Sequence, residues 1–319
     1  MLQRQFFYYP LSNDRGTTMA DPNLYLKGGV IPERDNEHYI IRLRTPAGML
    51  GVDALAGIAE IAKKYGIQDT HLTTRQTIEL LHVGPEILDD LLADLEKNGT
   101  PIGAERNEVV NVTACLGNAN CKYSVIDTIS LAKKLDEKHF GKEMPVKVRI
   151  AISGCPNGCT SERLNEIGIT GLRRPVRNEG LCTGCGTCGY YCREHAILIE
   201  NGKLRLNQGD CMLCGFCIHA CPFQYINFED PLYLITLGGR RGRHPKIGRT
   251  FYIARSEDDV VEIVGKIIYW IFRSIASDKM LPEQLTDEEF AEFREKVVKS
   301  LKPLGIDGVD PTNAYCMQN

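Results

Sequence analysis

The chain has 319 residues, which accommodates about two domains and a small insert. Its composition, with 43% hydrophobic and 25% charged residues, is that of a globular protein. A formal net charge of −3 gives no reason to expect nucleic-acid binding, and no stretch reaches the roughly 18 consecutive apolar residues of a membrane helix. Residues 1–30 lack the apolar segment of a signal peptide, so we expect a cytoplasmic protein.

Residues 36–102 are predicted to form a ferredoxin-like half-domain. Apolar and charged residues alternate in its first strand, and its helices carry apolar residues at helical spacing before a terminating glycine. The predicted elements are a strand at 39–45, a helix at 52–65, extended chain leading into a second strand at 71–83, and a helix at 85–98. Residues 1–35 lack such periodicity, so we expect an arm that lies over another part of the molecule.

Residues 103–179 and 228–319 are predicted to form a second domain, which an insert at 180–227 interrupts. Its predicted elements are helices at 123–139, 256–275 and 286–301, and strands at 146–152, 232–237 and 250–254. Lys147 and Arg149 share one face of the strand at 146–152, a pattern that fits either a cationic site or a half-exposed strand. In the insert, Asn201-Gly202 predicts the turn of a hairpin.

Twelve of the thirteen cysteines lie in three groups of four between Cys115 and Cys221. The first group is Cys115, Cys121, Cys155 and Cys159. The other two repeat the spacing C-x2-C-x2-C-x3-C, which binds two [4Fe–4S] clusters in bacterial ferredoxins, with the fourth cysteine of each run ligating the other cluster. The predicted ligand sets are therefore Cys182, Cys185, Cys188 and Cys221 for one cluster, and Cys211, Cys214, Cys217 and Cys192 for the other.

Zinc and disulfide bonds are the alternative uses of such cysteines. Structural zinc takes four ligands, commonly as two C-x2-C pairs, whereas each run here has three evenly spaced cysteines and a fourth behind them. Disulfides persist in oxidising compartments, which nothing in residues 1–30 indicates. We therefore expect reduced thiolates that hold iron. Cys316, the remaining cysteine, is expected to be a plain thiol.

Basic residues are concentrated in a glycine-rich run after the predicted strand at 232–237. They are Arg240, Arg241, Arg243, Lys246 and Arg249. Taken alone, the run fits a solvated loop or a phosphate-binding patch.

Several short motifs lie along residues 36–275. They are His71-Leu72-Thr73-Thr74-Arg75-Gln76, Cys115-x5-Cys121, Gly154-Cys155-Pro156-Asn157-Gly158-Cys159, and Leu237-Gly238-Gly239-Arg240 after the cluster insert. Together they resemble the siroheme-containing sulfite and nitrite reductase family, in the branch of the anaerobic and dissimilatory sulfite reductases. Two positions depart from that pattern, because Val110 and His71 stand where family members often carry arginine.

The resemblance implies an α+β fold, in which a ferredoxin-like half-domain joins an α/β siroheme-binding domain carrying an inserted two-cluster ferredoxin domain. It also implies that the first cysteine group holds a third [4Fe–4S] cluster and that Cys159 bridges this cluster to the siroheme iron. The expected reaction is the six-electron reduction of sulfite to sulfide, with electrons relayed through the two clusters of the insert.

Cations are expected around the substrate and the carboxylates of siroheme, because buried anions need charged partners. The catalytic candidates are Arg75, Lys147 and Arg149, which would hold the oxyanion and relay protons. The candidates for cofactor binding are Arg44, Thr74, Arg106, Asn111, Lys122, Asn157, Arg240, Arg241, Arg243, Lys246 and Arg249.

Partner proteins are expected, since the chain shows no convincing G-x-G-x-x-G motif for a nicotinamide or flavin cofactor. We expect an electron-donor protein or flavin or iron–sulfur subunits. The resemblance further implies a homo- or hetero-oligomer in which a second copy or a related subunit completes the assembly, since larger relatives contain two copies of the half-domain unit. Two alternative functions stay open. One is a siroheme nitrite reductase, and the other is a non-catalytic electron-transfer subunit of a sulfite reductase complex.

Overall fold

The computed structural model describes residues 28–228, 230–277 and 279–306 of the chain. Most of the predicted N-terminal arm and Cys316 lie outside the described residues. Val30–Pro32, which falls within residues 1–35, is the edge strand of a sheet and pairs with Tyr39–Arg42.

An antiparallel sheet with two helices on one face forms the N-terminal unit. Its elements are β1 (Val30–Pro32), β2 (Tyr39–Arg42), α1 (Val52–Lys64), β3 (Thr70–Leu72), β4 (Ile78–Val83) and α2 (Leu88–Lys97), and the strand order is β1-β2-β4-β3. The helices bury Ile58 and Leu91 against Ile41 and Leu80 of the sheet. The chain expected to be extended over 71–83 folds back as a hairpin, because Gln76 adopts a positive φ of 58° in the loop between β3 and β4.

The second unit begins with three parallel strands. These elements are β5 (Thr113–Ala114), α3 (Thr128–His139), β6 (Ile150–Ser153) and β7 (Ile167–Leu172). Helix α3 begins five residues later than expected, since the side chain of Asp127 accepts a hydrogen bond from Ser130 N and caps the helix there. Residues 146–149 precede β6 and keep the predicted alternation, with Val146 and Val148 buried and Lys147 and Arg149 partly exposed.

The insert leaves this sheet after β7 and is built of short elements. They are β8 (Pro175–Arg177), α4 (Thr187–Tyr190), β9 (Ile197–Glu200), β10 (Lys203–Leu206), α5 (Phe216–Ala220) and β11 (Ile226–Phe228). Strands β8 and β11 pair at its base, where the chain leaves and returns. The expected hairpin is confirmed, because Asn201 and Gly202 both have positive φ between the paired residues Glu200 and Lys203.

The remaining strands complete the large sheet, and helices cover it. They are β12 (Leu232–Leu237), β13 (Arg249–Ala254), α6 (Glu257–Ser274), α7 (Leu281–Gln284) and α8 (Asp287–Leu301), and the strand order is β13-β12-β7-β6-β5. The predicted caps of α6 and α8 are confirmed, because Ser256 and Thr286 accept hydrogen bonds from the third residue of each helix. The expected α+β fold is confirmed. No helix in the described ranges combines the length and apolar character needed to cross a bilayer.

Candidate active site

The first cysteine group lies where two neighbouring parallel strands end. Cys115 follows β5 and its N–H donates to Ile152 O of β6 at 3.1 Å. The Gly154 N–H, beyond the end of β6, donates to Cys115 Sγ at 3.1 Å. The loop after Cys121 returns to the same place, since Val125 N donates to Gly154 O at 2.8 Å. Parallel strands with a common edge therefore bring Cys115 against the turn that holds the second cysteine pair, and the loop after Cys121 contacts the same turn.

The turn from Cys155 to Cys159 is shaped by its sequence. Gly158 has a positive φ of 63°, and its N–H donates to Cys155 O at 3.3 Å, which closes a tight turn. Asn157 Nδ2 donates to Cys155 Sγ at 3.4 Å. Burial and the neighbouring Cys115 and Cys159 raise the pKa of Cys155. These contacts show sulfur atoms close enough to interact, held by N–H donors that favour thiolate ligands.

Two pockets of the insert are each lined by four cysteines. One contains Cys182, Cys185, Cys188 and Cys221, and the other contains Cys192, Cys211, Cys214 and Cys217. The fourth cysteine of each run thus lies beside the three of the other run, as the ferredoxin spacing predicts. The structure brings together both predicted ligand sets, and their binding of iron stays a prediction.

The chemistry of these pockets fits iron–sulfur clusters. Burial and neighbouring thiols raise the pKa of Cys217 to about 12, and burial also raises the pKa of Cys188 and Cys214. Buried thiols of this kind need a bound metal to become thiolates. Among the described residues no three His, Cys, Asp or Glu side chains converge enough to hold a single ion. A four-iron cluster does not require such convergence, because each thiolate binds a different iron atom.

A group of cations lies at the junction of the two units, and we call it the cation cluster. Its members are Arg42, Arg75, Lys147, Arg149 and Arg241. Burial, with the nearby Arg149, Arg241 and Arg42, lowers the pKa of Arg75 to about 9. The guanidinium therefore keeps its charge at neutral pH, although the surrounding cations disfavour that charge. Glu166 offsets part of this repulsion, and a bound anion would relieve more of it.

Arg75 is held in place without being neutralised. Its Nη1 donates to Asn165 Oδ1 at 2.8 Å, and its Nη2 donates to the carbonyl oxygens of Asn111 at 2.5 Å and Ile150 at 3.4 Å. The adjacent Gln76 docks the loop on β5, because its side-chain amide both donates to Ala114 O and accepts from Ala114 N. The hairpin of the half-domain thus fixes a cation beside the first cysteine group.

Lys147 and Arg149 are paired with carboxylates. Lys147 Nζ donates to Glu105 Oε1 at 2.5 Å, and Glu105 also contacts Arg42. Arg149 makes a two-pronged contact with Glu166, with Nε at 2.8 Å and Nη2 at 2.5 Å. Five cations share this region with Glu79, Glu105 and Glu166, so the cation cluster keeps an excess of positive charge that suits anions.

The basic residues after β12 lie in different environments. Arg241 Nη2 donates to Thr160 O at 2.7 Å, next to Cys159, so Arg241 joins the cation cluster. Arg240 pairs with Glu283 at 2.6 Å, Arg249 pairs with Asp287 at 2.7 Å, and Lys246 lies 3.4 Å from Pro282 O. These three hold the α7–α8 segment against the sheet. Arg243 is exposed.

Other predicted cofactor-binding residues have different surroundings. Asn111 is buried, and its Nδ2 donates to Arg75 O at 3.0 Å, so it supports the Arg75 loop. Arg44 pairs with Asp136 at 2.6 Å and lies over the Phe140 ring, on the side of α3. The structure places the three remaining candidates at exposed positions, namely Thr74, Arg106 and Lys122. Their cofactor contacts stay predictions.

Sequence reasoning missed several residues of this region. Arg42 belongs to the cation cluster, although Arg44 was the one proposed from the same alternating strand. The acceptor Asn165 and the carboxylates Glu105 and Glu166 were also missed. The alternation of 39–45 could have pointed to Arg42. Nothing local marked the carboxylates, whose partners lie between 17 and 63 residues away.

The site has further polar atoms available to an anionic cofactor. Within the described part of the chain, the Nε atoms of Arg75, Arg163 and Arg241 are buried without a hydrogen-bond partner. Buried N–H groups are costly when unpaired, so these donors need a ligand or water. Cys159 is exposed and directly precedes Thr160, whose carbonyl oxygen accepts from Arg241. Together they fit a carboxylate-bearing macrocycle next to the first cysteine group.

Two family models match the chain over nearly all of the region just described. The nitrite and sulfite reductase 4Fe-4S domain matches residues 105–302, and the nitrite/sulfite reductase ferredoxin-like half domain matches residues 31–98. The chain belongs to the nitrite and sulfite reductase family. The expected family and its oxidoreductase class are thus confirmed, and the match of residues 31–98 agrees with the ferredoxin-like half-domain.

Similar proteins of this family include known sulfite reductases and one of their subunits. The coenzyme F420-dependent sulfite reductase of Methanocaldococcus jannaschii is 30% identical over 86% of this chain and 44% of its own length. One subunit of the anaerobic sulfite reductase of Salmonella typhimurium is 30% identical over 70% of this chain and 72% of its own length. The chain therefore spans less than half of the first relative.

The fold of a solved member of the family is also similar. The crystal structure of dissimilatory sulfite reductase I superposes with a TM-score of 0.66, covering 81% of this chain and 69% of that one. Their sequence identity is 18%, so this similarity concerns the fold.

Proposed function

We propose that the chain is the catalytic subunit of a sulfite reductase, which reduces sulfite to sulfide with siroheme and three [4Fe–4S] clusters. The observation that carries the proposal is the meeting of the first cysteine group with the cation cluster, through Arg241 at Thr160 and Arg75 beside β5. The names of the sulfite reductases among its relatives support the choice of substrate.

Cys159 and the cations beside it would hold siroheme, whose iron would supply a redox-active site for the sulfur atom of sulfite. The cation cluster would bind the sulfite oxygens and stabilise the charge that develops on them as they leave as water. Arg149 has an orientation fixed by Glu166, and Arg75 one fixed by three neutral acceptors. Preorganised donors of this kind need little rearrangement when the anion arrives.

Lys147 is the proposed proton donor of the cation cluster. Burial, Arg42 and Arg149 lower the pKa of its ammonium to about 8, and Arg75 acts in the same direction. The carboxylates of Glu105 and Glu166 favour the charged form. An amine with a pKa near neutrality gives up a proton to a leaving oxygen more readily than an ordinary lysine does.

The turnover of sulfite should therefore depend on the protonation of Lys147. The ammonium predominates below pH 8 and is lost above it, so turnover should fall by about tenfold for each pH unit well above that pKa. Arginine in the Lys147→Arg variant stays charged, so the decline that begins near pH 8 should disappear while turnover at neutral pH is reduced. The decline that remains should begin near pH 9, where Arg75 loses its charge. The measurement is the pH profile of sulfide production from pH 6 to 10, and an identical alkaline limb in both proteins would exclude Lys147.

The visible spectrum and iron content of the purified protein test the proposed function. We expect siroheme absorption and about twelve non-haem iron atoms per chain, as three four-iron clusters require. With one reductant, sulfite should be turned over faster than nitrite. Iron and sulfide without siroheme absorption would instead indicate an electron-transfer subunit. Faster turnover of nitrite would indicate the nitrite reductase, which the same cations could serve.

The proposed activity also implies a compartment and partner proteins. We propose a cytoplasmic enzyme that receives electrons from a donor protein or from flavin or iron–sulfur subunits. We also propose an oligomer in which a second copy or a related polypeptide completes the assembly. The relative named as a subunit of an anaerobic sulfite reductase supports a complex of several chains.

A further inference from the structure

Two aromatic rings connect the insert to the loop of the first cysteine group. Tyr123 and Phe216 stack with ring centroids 4.9 Å apart and an angle of 28° between the rings. A cation lies over each ring, with Lys122 Nζ 5.0 Å from the centroid of Tyr123 and the Arg193 guanidinium 5.2 Å from that of Phe216. Stacked rings that also contact cations favour one arrangement of the two loops.

All four residues of this contact lie within two residues of a cysteine in the sequence. Lys122 and Tyr123 directly follow Cys121, of the first cysteine group. Phe216 lies between Cys214 and Cys217, and Arg193 directly follows Cys192. Those three cysteines line the same pocket of the insert. The contact therefore joins one particular pocket of the insert, which we call the near pocket, to the first cysteine group.

The near pocket is also anchored to the large sheet by other contacts. Leu213, between two of its cysteines, packs with Leu172 and Leu234 of the sheet. The N–H of Arg173 donates to Leu213 O at 2.7 Å. The other pocket contains Cys185, which is exposed, and Phe223, which is 52% exposed. The insert thus turns one pocket toward the body of the molecule and the other toward solvent.

We infer that Tyr123 and Phe216 are positioning residues for electron transfer, which fix the near pocket against the first cysteine group. This inference rests on the proposed function and gives its electron path a direction. Electrons would arrive at the pocket of Cys182, Cys185, Cys188 and Cys221, pass to the near pocket, and cross the ring contact to the loop of Cys121. One electron crosses at a time, from a low-potential one-electron donor, and neither a bond nor a proton moves with it.

The ring contact matters because the rate of electron tunnelling falls steeply with the distance between redox centres. Loss of either ring would leave the near pocket held by the contacts of Leu213 with the large sheet, and would let the side that faces the Cys121 loop move relative to that loop. The chain would then keep its clusters but transfer electrons between them more slowly. This is the effect that separates a positioning residue from one that only maintains the fold.

The experiment uses the full-length holoprotein and the Tyr123→Leu and Phe216→Leu variants, which keep apolar volume and lose the ring. Iron content is measured first, and reduced methyl viologen is then mixed rapidly with each protein. We expect the insert clusters to be reduced at the wild-type rate, while reduction of the siroheme chromophore slows by about tenfold or more. Electron paramagnetic resonance of the partly reduced protein should show a weaker magnetic interaction between clusters.

Conservative and distant variants control this experiment. Tyr123→Phe and Phe216→Tyr keep both rings and should restore transfer to near the wild-type rate. Tyr190→Ala removes another aromatic ring of the insert, which is 86% exposed and contacts Tyr191, and should leave the transfer rate unchanged. Unchanged magnetic interaction and transfer in both leucine variants would overturn the inference, as would an equal loss in Tyr190→Ala. Absence of siroheme absorption from the wild-type protein would contradict the proposed function instead, and the magnetic interaction would still test the ring contact.

Discussion

Replacement of Cys159 by serine should lower sulfite turnover by at least about a hundredfold, the effect of about 2.7 kcal/mol on a reaction barrier. Cys159 is exposed beside the cation cluster, and we propose its sulfur as the link between cluster and siroheme. Serine is a poorer ligand for iron, so electrons should reach the siroheme more slowly and the cluster should be bound less tightly. The measurements are sulfide production, iron content and the siroheme spectrum.

Cys316→Ser is the matched control for this variant. Cys316 is the thirteenth cysteine and belongs to none of the three groups. We expect full activity and unchanged iron content in Cys316→Ser, with loss of about four iron atoms or of the siroheme spectrum in Cys159→Ser. Wild-type turnover by Cys159→Ser would contradict the proposed linkage.

Replacement of Arg149 by methionine should destabilise the protein by about 3–5 kcal/mol, because it leaves a buried carboxylate without its partner. The side chain of Glu166 is 2% exposed and makes a two-pronged contact with Arg149. The free energy of unfolding, measured by urea titration of the apoprotein and the holoprotein, should fall by this amount. Sulfite turnover should fall as well, because the anion site loses a cation.

A double variant separates these two effects. Adding Glu166→Gln to Arg149→Met removes the unpaired charge, so most of the lost stability should return. Turnover should stay low, since the missing cation is not replaced. Recovery of both stability and turnover in the double variant would show that Arg149 serves only to neutralise Glu166, and would remove it from the proposed chemistry.

The cysteine groups and the main elements could be predicted from the sequence because their determinants are local. Three cysteines in a run lie within seven residues of one another, and this spacing is itself set by the size of the group they hold. Ser256 and Thr286 marked the starts of two helices, and Asn201-Gly202 marked a hairpin, each through contacts of a few residues.

The charged partners could not be predicted in the same way. Arg42 and Arg44 lie two positions apart, yet Arg42 faces Glu79 and Glu105 whereas Arg44 reaches Asp136 of α3. Strand β2 ends at Arg42, and the chain after it pairs with a different segment, since Arg44 N donates to Pro101 O at 2.8 Å. Periodicity describes one segment, so it does not show which distant carboxylate meets a given arginine.

The basic run shows the same limitation within a single loop. Arg240, Arg241 and Arg249 are equivalent in a sequence pattern. In the fold, Arg241 extends to Thr160, while Arg240 and Arg249 contact the α7–α8 segment, which comes more than thirty residues later. The assignment of cations to the site or to helix packing therefore depended on the tertiary structure.

Each pocket of the insert takes its fourth cysteine, Cys221 or Cys192, from the other cysteine run, and this arrangement affects how the protein is assembled in the cell. Neither pocket contains four cysteines until both runs are in place, because each depends on one residue contributed by the other. On the proposed ligation, a maturation machinery that delivers iron and sulfide would complete the insert in a concerted way. The first cluster to bind would hold both runs in place, so the second would bind in a pocket that is already formed.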